Sequence, residues 1–315
     1  MSVLIVEPTG YSSLASELYR KLGHVWSGNI PSENEGQVRL LVVRLAHVLD
    51  GGFLSKYPNL IAIATPTTGL THIDLDFCRE RNIRIFSLAD CRKAIEEVTS
   101  TSELTIGLML SLIRRIPMAH DDVVHQNRWD RDYFRSRQLS SLTLGIIGLG
   151  RIGGHVAHYA KALRMRVLAY DPYQNISRFV EHNAKQCVLS ALLKESDIVS
   201  IHANLKEDNF NLIGKPEIES LKKGVLIINT ARGALLDEAA TTAALRNGTL
   251  GGVAIDVLSD EHTGDSCLNS PLVGAARDGY NIIITPHIGG CTIDAMHITE
   301  ERLAEVVVRE LVIVT

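Results

Sequence analysis

The chain has 315 residues, of which 45% are hydrophobic, 22% charged and 5% aromatic, and its formal net charge is −4. This composition excludes a disordered chain and fits one or two globular α/β domains that bury a core without a disulfide or a metal. The slightly acidic balance argues against nucleic acid and anionic membranes as partners, and no apolar run approaches the roughly 20 residues that span a bilayer.

Cysteine usage and the first residues indicate a compartment. None of the cysteines forms a C-x-x-C pair, and scattered single cysteines are typical of a reducing environment. The sequence begins directly with the strand-like run Met1–Val6, without a basic leader or a small-residue cleavage site. We therefore expect a cytoplasmic protein. The cysteines are Cys78, Cys91, Cys187, Cys267 and Cys291.

Short apolar runs rich in β-branched residues alternate with helix-like segments along the chain. Such runs predict strands buried on both faces of a parallel sheet, and their alternation with helices is the doubly wound pattern. The predicted strands are Leu40–Val43, Leu60–Ala64, Thr143–Ile147, Val167–Tyr170, Asp197–Ile201, Val225–Ile228, Gly252–Ile255 and Ile282–Ile284.

Two segments have the character of domain boundaries. The first is a long helical pattern that runs from Ile95 and is closed by Pro117, and the second is the loop after Thr285-Pro286. The stretch between them has its own series of strands. The N-terminal piece is one helix short of a complete domain, and the segment from Ile293 to about Val312 can supply that helix. The pattern therefore predicts one α/β domain between these boundaries and a second domain made from both chain ends.

A glycine-rich loop, Gly148-Leu149-Gly150-Arg151-Ile152-Gly153, follows a predicted strand and opens a helical stretch. The first glycine permits a tight turn, the second lets a pyrophosphate approach the backbone, and the third lets the helix pack on the strand. Asp171 ends the next strand, 18 residues past Gly153. Its carboxylate can accept hydrogen bonds from both ribose hydroxyls of NAD, and it repels the 2′-phosphate of NADP. Either feature alone is typical of a tight turn or a surface acid, but together they favour NAD over NADP.

Several polar residues stand where the later strands end. In open α/β sheets, ligands bind beyond the carboxyl ends of the strands, so these residues predict one site at one edge of one sheet. They are His202, Thr230 and Arg232 on either side of Ala231, Asp256 and His287.

Three residues are the candidates for chemistry. Arg232 precedes a glycine at a strand-to-helix turn, where a guanidinium can bind a substrate carboxylate with two hydrogen bonds. His287 precedes the flexible Gly289-Gly290, and an imidazole is suited to passing a proton at physiological pH. Glu261 can pair with that ring and fix its tautomer. Taken singly, they are more typical of a solvated arginine, a structural histidine and a solvated loop acid. The prediction therefore depends on the presence of all three near the same strand ends.

The stretches that carry these residues are Gly145–Gly153, Ala169–Pro172, Asp197–His202, Lys223–Asp237, Gly252–Glu261 and Thr285–Thr292. In this order and spacing they resemble the D-isomer-specific 2-hydroxyacid dehydrogenase family, and the resemblance covers nearly the whole chain. Within that family the sequence looks closest to the short D-3-phosphoglycerate dehydrogenase-like members. The combination is highly specific, because single glycine motifs do not reproduce it.

The resemblance implies NAD as the cofactor, no metal, and a catalytic triad of Arg232, Glu261 and His287. Arg232 binds the substrate carboxylate and polarises the 2-oxygen, His287 moves the hydroxyl proton, and Glu261 keeps the imidazole protonated for reduction. The implied substrate residues are Arg44, Thr67, Gly69, Arg232 and His287. The implied cofactor residues are Thr68, Thr105, Gly148, Gly150, Arg151, Ile152, Gly153, Asp171, His202, Ala203, Thr230, Ala231, Asp256, Gly289 and Gly290.

The resemblance also implies an architecture and a reaction. Residues 98–287 are expected to form a Rossmann domain, a doubly wound parallel sheet that binds NAD. Residues 1–97 and 288–315 are expected to form a smaller flavodoxin-like α/β substrate domain. The expected assembly is a homodimer through the cofactor domain, and the expected partner is a small anionic substrate. The implied reaction is NAD-dependent hydride transfer between nicotinamide and a small D-2-hydroxy or 2-keto acid.

Departures from the family pattern leave the substrate open. Thr71-His72 stands where relatives carry Asp-Asn or a similar pair, Asp90–Lys93 replaces a small neutral loop, and Asn204 replaces a proline. Arg44 matches the arginine that contacts the substrate phosphate in phosphoglycerate-using relatives, and the basic residues of the Asp90–Lys93 loop can extend a basic patch. A phosphorylated acid such as 3-phosphoglycerate is one candidate. Glyoxylate, hydroxypyruvate, phosphite, phosphonates and keto-sugar acids are others.

Two further alternatives use the same fold. A formate dehydrogenase-like activity is disfavoured, because those members carry glutamine at the position of Glu261. A function of another class, an NAD-sensing interaction protein similar to the transcriptional corepressors that resemble this family, is expected to expose a partner groove and to add tails. The sequence shows no disordered extension, which disfavours that alternative, and the intact triad disfavours a chain that binds the cofactor without activity.

Overall fold

The computed structural model describes residues 1–261 and 264–312. It divides into two compact units. Unit 1 contains Met1–Val98 together with the chain from Gly290 onward, and unit 2 contains Thr99–Gly289. Within the described residues, none of the helices combines the length and apolar character required to cross a bilayer.

The elements alternate along the chain between strands and helices. In unit 1 they are β1 (Ser2–Ile5), α1 (Ser13–Arg20), β2 (His24–Ser27), α2 (Ser32–Glu35), β3 (Val38–Val42), α3 (Gly51–Ser55), β4 (Ala62–Ala64), α4 (Leu75–Glu80), β5 (Arg84–Phe86) and a 3-10 helix (Leu88–Ile95). In unit 2 they are α5 (Ser100–Arg114), α6 (Ile116–Val124), β6 (Thr143–Ile147), α7 (Arg151–Ala162), β7 (Arg166–Tyr170), α8 (Ile176–Glu181), β8 (Lys185–Gln186), α9 (Leu189–Glu195), β9 (Ile198–Ile201), α10 (Lys215–Glu219), β10 (Val225–Asn229), α11 (Glu238–Arg246), β11 (Leu250–Ile255), α12 (Pro271–Arg277) and β12 (Ile282–Ile284), with 3-10 helices at Leu139–Ser141, Gly233–Leu235 and Gly264–Asn269. The last helix, α13 (Ile293–Val312), returns to unit 1.

Unit 1 is built on a parallel sheet with the strand order β2-β1-β3-β4-β5, which is the flavodoxin-like order. Successive residues of a strand face opposite sides of a sheet. Val3 and Ile5 therefore pack with α1 and α13 on one side, while Leu4 packs with α3 and α4 on the other. The C-terminal helix supplies Leu303, Ala304, Val307 and Leu311 to this core. These side chains of α13 therefore share one apolar core with the strands of the N-terminal piece.

Unit 2 is built on a larger parallel sheet with the order β12-β11-β10-β9-β6-β7-β8. Residues on alternating positions of β6 and β9 again divide between two cores. Leu144, Ile146 and Ile198 pack with α5 and α7, and Ile147 and Val199 pack with α9 to α12. Helices thus cover both faces, as the doubly wound prediction requires, and the α/β fold class is confirmed.

The predicted strands all lie in these two sheets, with bounds that shift by a few residues. Sequence reasoning missed β2, β5 and β8, which are the outer strands of their sheets or carry little apolar surface. Because an edge strand is solvated, its apolar pattern is weak. Lys185 and Gln186 of β8, for example, are both exposed.

The predicted helix from Ile95 to Pro117 has the wrong bounds. Ile95 ends the 3-10 helix, and α5 runs only from Ser100 to Arg114. Arg115 has a φ of 49° and breaks the helix. Pro117 lies in the first turn of α6, where the missing proline N–H costs no helical hydrogen bond. The proline therefore helps to start a second helix rather than closing the first.

Candidate active site

The strand order of unit 2 reverses between β6 and β9. The chain passes from β6 to β7 and β8 on one side, and then from β9 to β10, β11 and β12 on the other. Since all these strands are parallel, their carboxyl ends share one edge, and the crevice outside β6 and β9 is the place where such sheets bind ligands. The predicted strand-end residues all follow the carboxyl ends of these strands. They are His202 after β9, Thr230 to Arg232 after β10, Asp256 after β11 and His287 after β12.

The glycine loop between β6 and α7 needs its glycines for physical reasons. Gly148 has a φ of 92°, and a Cβ there would lie 2.7 Å from the backbone nitrogen of Ala203. A Cβ on Gly153 would lie 2.0 Å from the carbonyl oxygen of Gly148, so α7 can approach the loop this closely only with glycine at position 153. At Gly150, the N-cap of α7, a Cβ would meet nothing within 4 Å. The loop therefore leaves open space beside the helix start, which fits a dinucleotide pyrophosphate.

Two charged residues flank this loop. Asp171 accepts hydrogen bonds from the backbone nitrogens of Leu149 at 2.8 Å and Tyr173 at 2.9 Å. These contacts hold the carboxylate beside the loop, and each oxygen keeps a lone pair for a ribose hydroxyl. Arg178 of α8, which sequence reasoning missed, donates from Nε to the Leu149 carbonyl at 3.3 Å and from Nη2 to the Gly150 carbonyl at 3.2 Å. No motif pointed to Arg178, because its contact depends on how α8 packs.

Thr105 and Thr230, both predicted as cofactor residues, contact each other. Their hydroxyl oxygens lie 2.9 Å apart, and the Thr105 hydroxyl also donates to the Thr101 carbonyl at 2.8 Å. Both residues are buried. The pair links α5 to the carboxyl end of β10, so it holds the start of the Thr230–Arg232 turn in place.

Arg232 is held in extended backbone by that turn. Asn229 clamps it, because the side chain of Asn229 donates to the Arg232 carbonyl at 2.8 Å and accepts from the Ala231 nitrogen at 3.0 Å. Gly233 must be glycine, since a Cβ there would lie 2.1 Å from the backbone of Leu258. Burial lowers the pKa of Arg232, and the nearby charge of Glu261 opposes that effect. The guanidinium is therefore a desolvated cation that gains from an anionic ligand.

Glu261 and His287 form a hydrogen-bonded pair. His287 Nδ1 lies 2.9 Å from Glu261 Oε1, and the second oxygen of Glu261 accepts from the Leu258 nitrogen at 3.4 Å. Both side chains are largely shielded, with 25% and 16% of their surface exposed. A carboxylate at Nδ1 fixes the ring orientation, so Nε2 is the nitrogen that can exchange a proton with a substrate.

The backbone at His287 is unusual and is held by Asp256. His287 has a φ of 53°, in the left-handed region that non-glycine residues rarely adopt. The buried Asp256 carboxylate accepts hydrogen bonds from the Thr285 hydroxyl at 2.5 Å, the Ile288 nitrogen at 2.9 Å and the Gly289 nitrogen at 2.7 Å. Asp256 thus fastens the turn that carries His287. This is a positioning contact, and its predicted cofactor role stays a prediction.

His202 differs from His287 in its surroundings. Its Nε2 lies 2.8 Å from the Ser200 hydroxyl, and burial lowers the pKa of His202 to about 3. The ring is therefore neutral at physiological pH and is not an acid or a base for the reaction. Its backbone, next to Gly148, still borders the glycine loop.

Of the other predicted residues, Arg151 and Ile152 begin α7 in unit 2, and the rest belong to unit 1. Thr67 donates from its hydroxyl to the Gly69 carbonyl at 2.8 Å, which closes the loop after β4, and Thr68 is exposed on that loop. His72, the departure from the family pattern, is buried, and its Nε2 lies 3.3 Å from the Thr65 hydroxyl. Gly290 begins the segment that leads to α13, and a Cβ there would meet nothing within 4 Å.

The fold and the glycine loop define a dinucleotide-binding α/β protein. Residues 106–289, more than half of the chain, match the model of the D-isomer specific 2-hydroxyacid dehydrogenase, NAD binding domain. The chain belongs to the D-isomer specific 2-hydroxyacid dehydrogenase family, and unit 2 carries its NAD-binding domain.

Relatives of this chain include several named dehydrogenases. It is 33% identical to a D-3-phosphoglycerate dehydrogenase of Archaeoglobus fulgidus over 94% of this chain and 54% of the relative. It is 32% identical to a hydroxypyruvate reductase of Thermotoga maritima over 87% of this chain and 85% of that protein. The structure of a D-lactate dehydrogenase from Aquifex aeolicus, solved with NAD and lactic acid, superposes with a TM-score of 0.78 and 29% identity. The superposition covers 99% of this chain and 94% of that protein. The chain spans about half the length of the phosphoglycerate dehydrogenases it matches.

Proposed function

We propose that this chain is an NAD-dependent oxidoreductase that interconverts a small 2-keto acid and the D-2-hydroxy acid. One observation carries the proposal: the Glu261–His287 pair, at 2.9 Å, stands at the same sheet edge as Arg232 and the glycine loop. A cation for a carboxylate, a proton carrier and a dinucleotide loop are the groups that this reaction needs. The named activities of the relatives agree with this class.

The residues divide the reaction between them. When bound, the nicotinamide of NAD supplies or accepts the hydride. Arg232 binds the substrate carboxylate and polarises the 2-oxygen, because its guanidinium is desolvated and presents two parallel donors. His287 Nε2 donates the proton to the 2-oxygen during reduction and accepts it back during oxidation. Glu261 stabilises the charged imidazole and keeps the ring oriented.

Unit 1 is proposed as the substrate domain and unit 2 as the cofactor domain. The flavodoxin-like order of the unit 1 sheet supports a ligand at its carboxyl edge, where Arg44, Thr67 and Gly69 lie. Thr68 and Gly290 of this unit are proposed as cofactor residues. The substrate is proposed to be a small 2-keto acid.

The test of the proposal is NADH consumption by the purified protein with a panel of 2-keto acids. The panel contains pyruvate, glyoxylate, hydroxypyruvate, 3-phosphohydroxypyruvate and 2-oxoglutarate. We expect turnover with at least one member. Tight NADH binding without turnover of any member would contradict the proposal and favour an NAD-sensing interaction protein instead.

Asp171 is expected to set the preference for NAD. In Asp171→Asn, the amide oxygen can still accept from the Leu149 nitrogen, but the negative charge is lost. Because charge-assisted hydrogen bonds are about twice as strong as neutral ones, we expect KM for NAD to rise about tenfold and the preference over NADP to fall. Steady-state kinetics with both cofactors measures this. The exposed Asp208→Asn is the matched control. A native protein that prefers NADP contradicts the ribose argument.

A homodimer through unit 2 is part of the proposal. Large apolar side chains are exposed along α6 and the segment that follows it, among them Ile116, Val124, Trp129 and Tyr133, with Trp129 at 87%. Such a patch is typical of a protein–protein interface. Sedimentation velocity distinguishes the dimer from a monomer of 34.6 kDa.

A cytoplasmic location is proposed from the unpaired state of the cysteines, and fractionation of cells that express the protein tests it.

A further inference from the structure

Unit 1 has its own switch point, and two acids and one arginine surround it. The chain passes from β1 to β2 on one side and from β3 to β4 and β5 on the other, so the crevice lies outside the carboxyl ends of β1 and β3. Glu7 follows β1 and Arg44 follows β3. The Glu7 carboxylate accepts hydrogen bonds from the backbone nitrogens of Arg44 and Ala46, which ties the two strand ends together.

The guanidinium of Arg44 is committed to partners within unit 1. Nε donates to Glu300 Oε1 at 2.8 Å and Nη2 donates to the same oxygen at 2.5 Å. Nη1 donates to the Thr9 carbonyl at 2.9 Å. The guanidinium carbon also lies 5.1 Å from the centre of the Tyr11 ring, which adds a cation–π contact. Every nitrogen of the guanidinium therefore donates to a group of this chain.

Glu300 is fixed as firmly as Arg44. It is fully buried on α13, and its second oxygen accepts from the Ser12 nitrogen at 2.7 Å. Burial raises the pKa of Glu300, and the hydrogen bonds from Ser12 and Arg44 oppose that rise. A carboxylate this deeply buried depends on its cation, so moving Arg44 onto a ligand would leave an unpaired buried charge.

This arrangement decides what charge a ligand can carry at the switch point. Glu300 neutralises Arg44, and the Glu7 carboxylate adds negative charge at the same place. A phosphate group there would meet a cation already paired and two carboxylates that repel it. A neutral methyl or hydroxymethyl group meets no such penalty. Arg92 and Lys93, the basic residues of the Asp90–Lys93 loop, are exposed on the 3-10 helix after β5.

We infer that Glu300 is a specificity-determining residue, which holds Arg44 in an internal ion pair. It thereby selects 2-keto acids whose third carbon carries an uncharged group over those whose third carbon carries a phosphate. This inference rests on the proposed function and on unit 1 as the part that holds the far end of the substrate. It makes Arg44 a structural cation in this chain rather than a phosphate ligand.

The test compares kcat/KM for 3-phosphohydroxypyruvate with kcat/KM for hydroxypyruvate, with NADH as the second substrate. In Glu300→Gln, which keeps the size of the side chain and one of its two accepting oxygens, the ratio is expected to rise about tenfold, because the cation is no longer neutralised. Glu301→Gln is the matched control, since Glu301 lies next on α13 and accepts from the Ser12 hydroxyl, and it should leave the ratio unchanged. Adding Arg44→Met to Glu300→Gln should abolish the rise.

Two results overturn the inference. One is a native protein that already prefers the phosphorylated keto acid by about tenfold or more, which needs no variant to fold. The other is a Glu300→Gln variant that melts close to the native protein and keeps the native ratio. If a rise survives Arg44→Met and disappears with Arg92→Ala and Lys93→Ala, the phosphate is bound by that loop, and the inference about Arg44 is wrong.

Calorimetry separates this inference from the proposed function. Binding of 3-phosphoglycerate and of D-glycerate is measured on the native protein and on Glu300→Gln, without turnover. Absence of NADH consumption with every keto acid sinks the proposed function, and the binding result still decides the role of Glu300. We expect Glu300→Gln to tighten 3-phosphoglycerate binding about tenfold relative to D-glycerate. Equal changes for both ligands would contradict the inference.

Discussion

His287→Asn is expected to lower kcat for 2-keto acid reduction about 10³-fold, within the 10²- to 10⁴-fold range of general acid catalysis. Asparagine is the informative substitution because it tolerates a φ of 53°, whereas most side chains would strain the turn. The amide can occupy the site next to Glu261 but cannot donate a proton. KM for NADH should change little, since the glycine loop is untouched. Steady-state kinetics measures both quantities.

The matched control is His158→Asn, which changes an exposed histidine of α7. It should leave kcat within about twofold of the native value, as surface substitutions usually do. A His287→Asn variant that retains full turnover contradicts the assignment of the proton carrier. In that case Glu261, the other titratable member of the pair, becomes the residue to test.

Arg232→Lys is expected to lower kcat/KM by about 30- to 1,000-fold, which corresponds to about 2–4 kcal/mol. Lysine keeps the positive charge, but it is a point charge without the planar pair of donors that a carboxylate accepts. The backbone of the turn should survive, because the Asn229 clamp binds the main chain rather than the guanidinium. Steady-state kinetics with the best keto acid of the panel measures the effect.

Arg246→Lys provides the comparison. Arg246 lies in the last turn of α11, is half-exposed and pairs with Asp278, so the same chemical change there should have little effect on kcat/KM. If Arg232→Lys were as active as Arg246→Lys, the guanidinium would not bind the substrate carboxylate. A loss confined to KM would instead mean that Arg232 binds the substrate without stabilising the transition state.

The predictable part of the molecule is the part encoded locally. A buried strand, a glycine loop and a following helix occupy neighbouring positions in the sequence, so Gly148 to Gly153 could be placed from residue types alone. The same holds for Arg232 and His287, because each directly follows a strand, and the strands of a parallel sheet end at one edge. The fold class followed from the same strands.

What the sequence did not reveal depends on long-range packing. The Arg44–Glu300 pair joins residues 256 positions apart, and no periodicity links them. Arg178 reaches the glycine loop only because α8 packs beside it. The C-terminal end of α5 was missed because Arg115 adopts a left-handed conformation that its residue type does not favour. In each case the deciding contact is made by the tertiary structure.

We propose that Arg232, Glu261 and His287 catalyse the reduction of a 2-keto acid by NADH to the D-2-hydroxy acid. The most direct measurement is the chirality and yield of the product that the native protein makes from NADH and the best keto acid of the panel, separated by chiral chromatography. We expect the D-hydroxy acid alone, in an amount equal to that of the NADH consumed. An L-product, a racemic mixture, or NADH consumption without a hydroxy acid would contradict it.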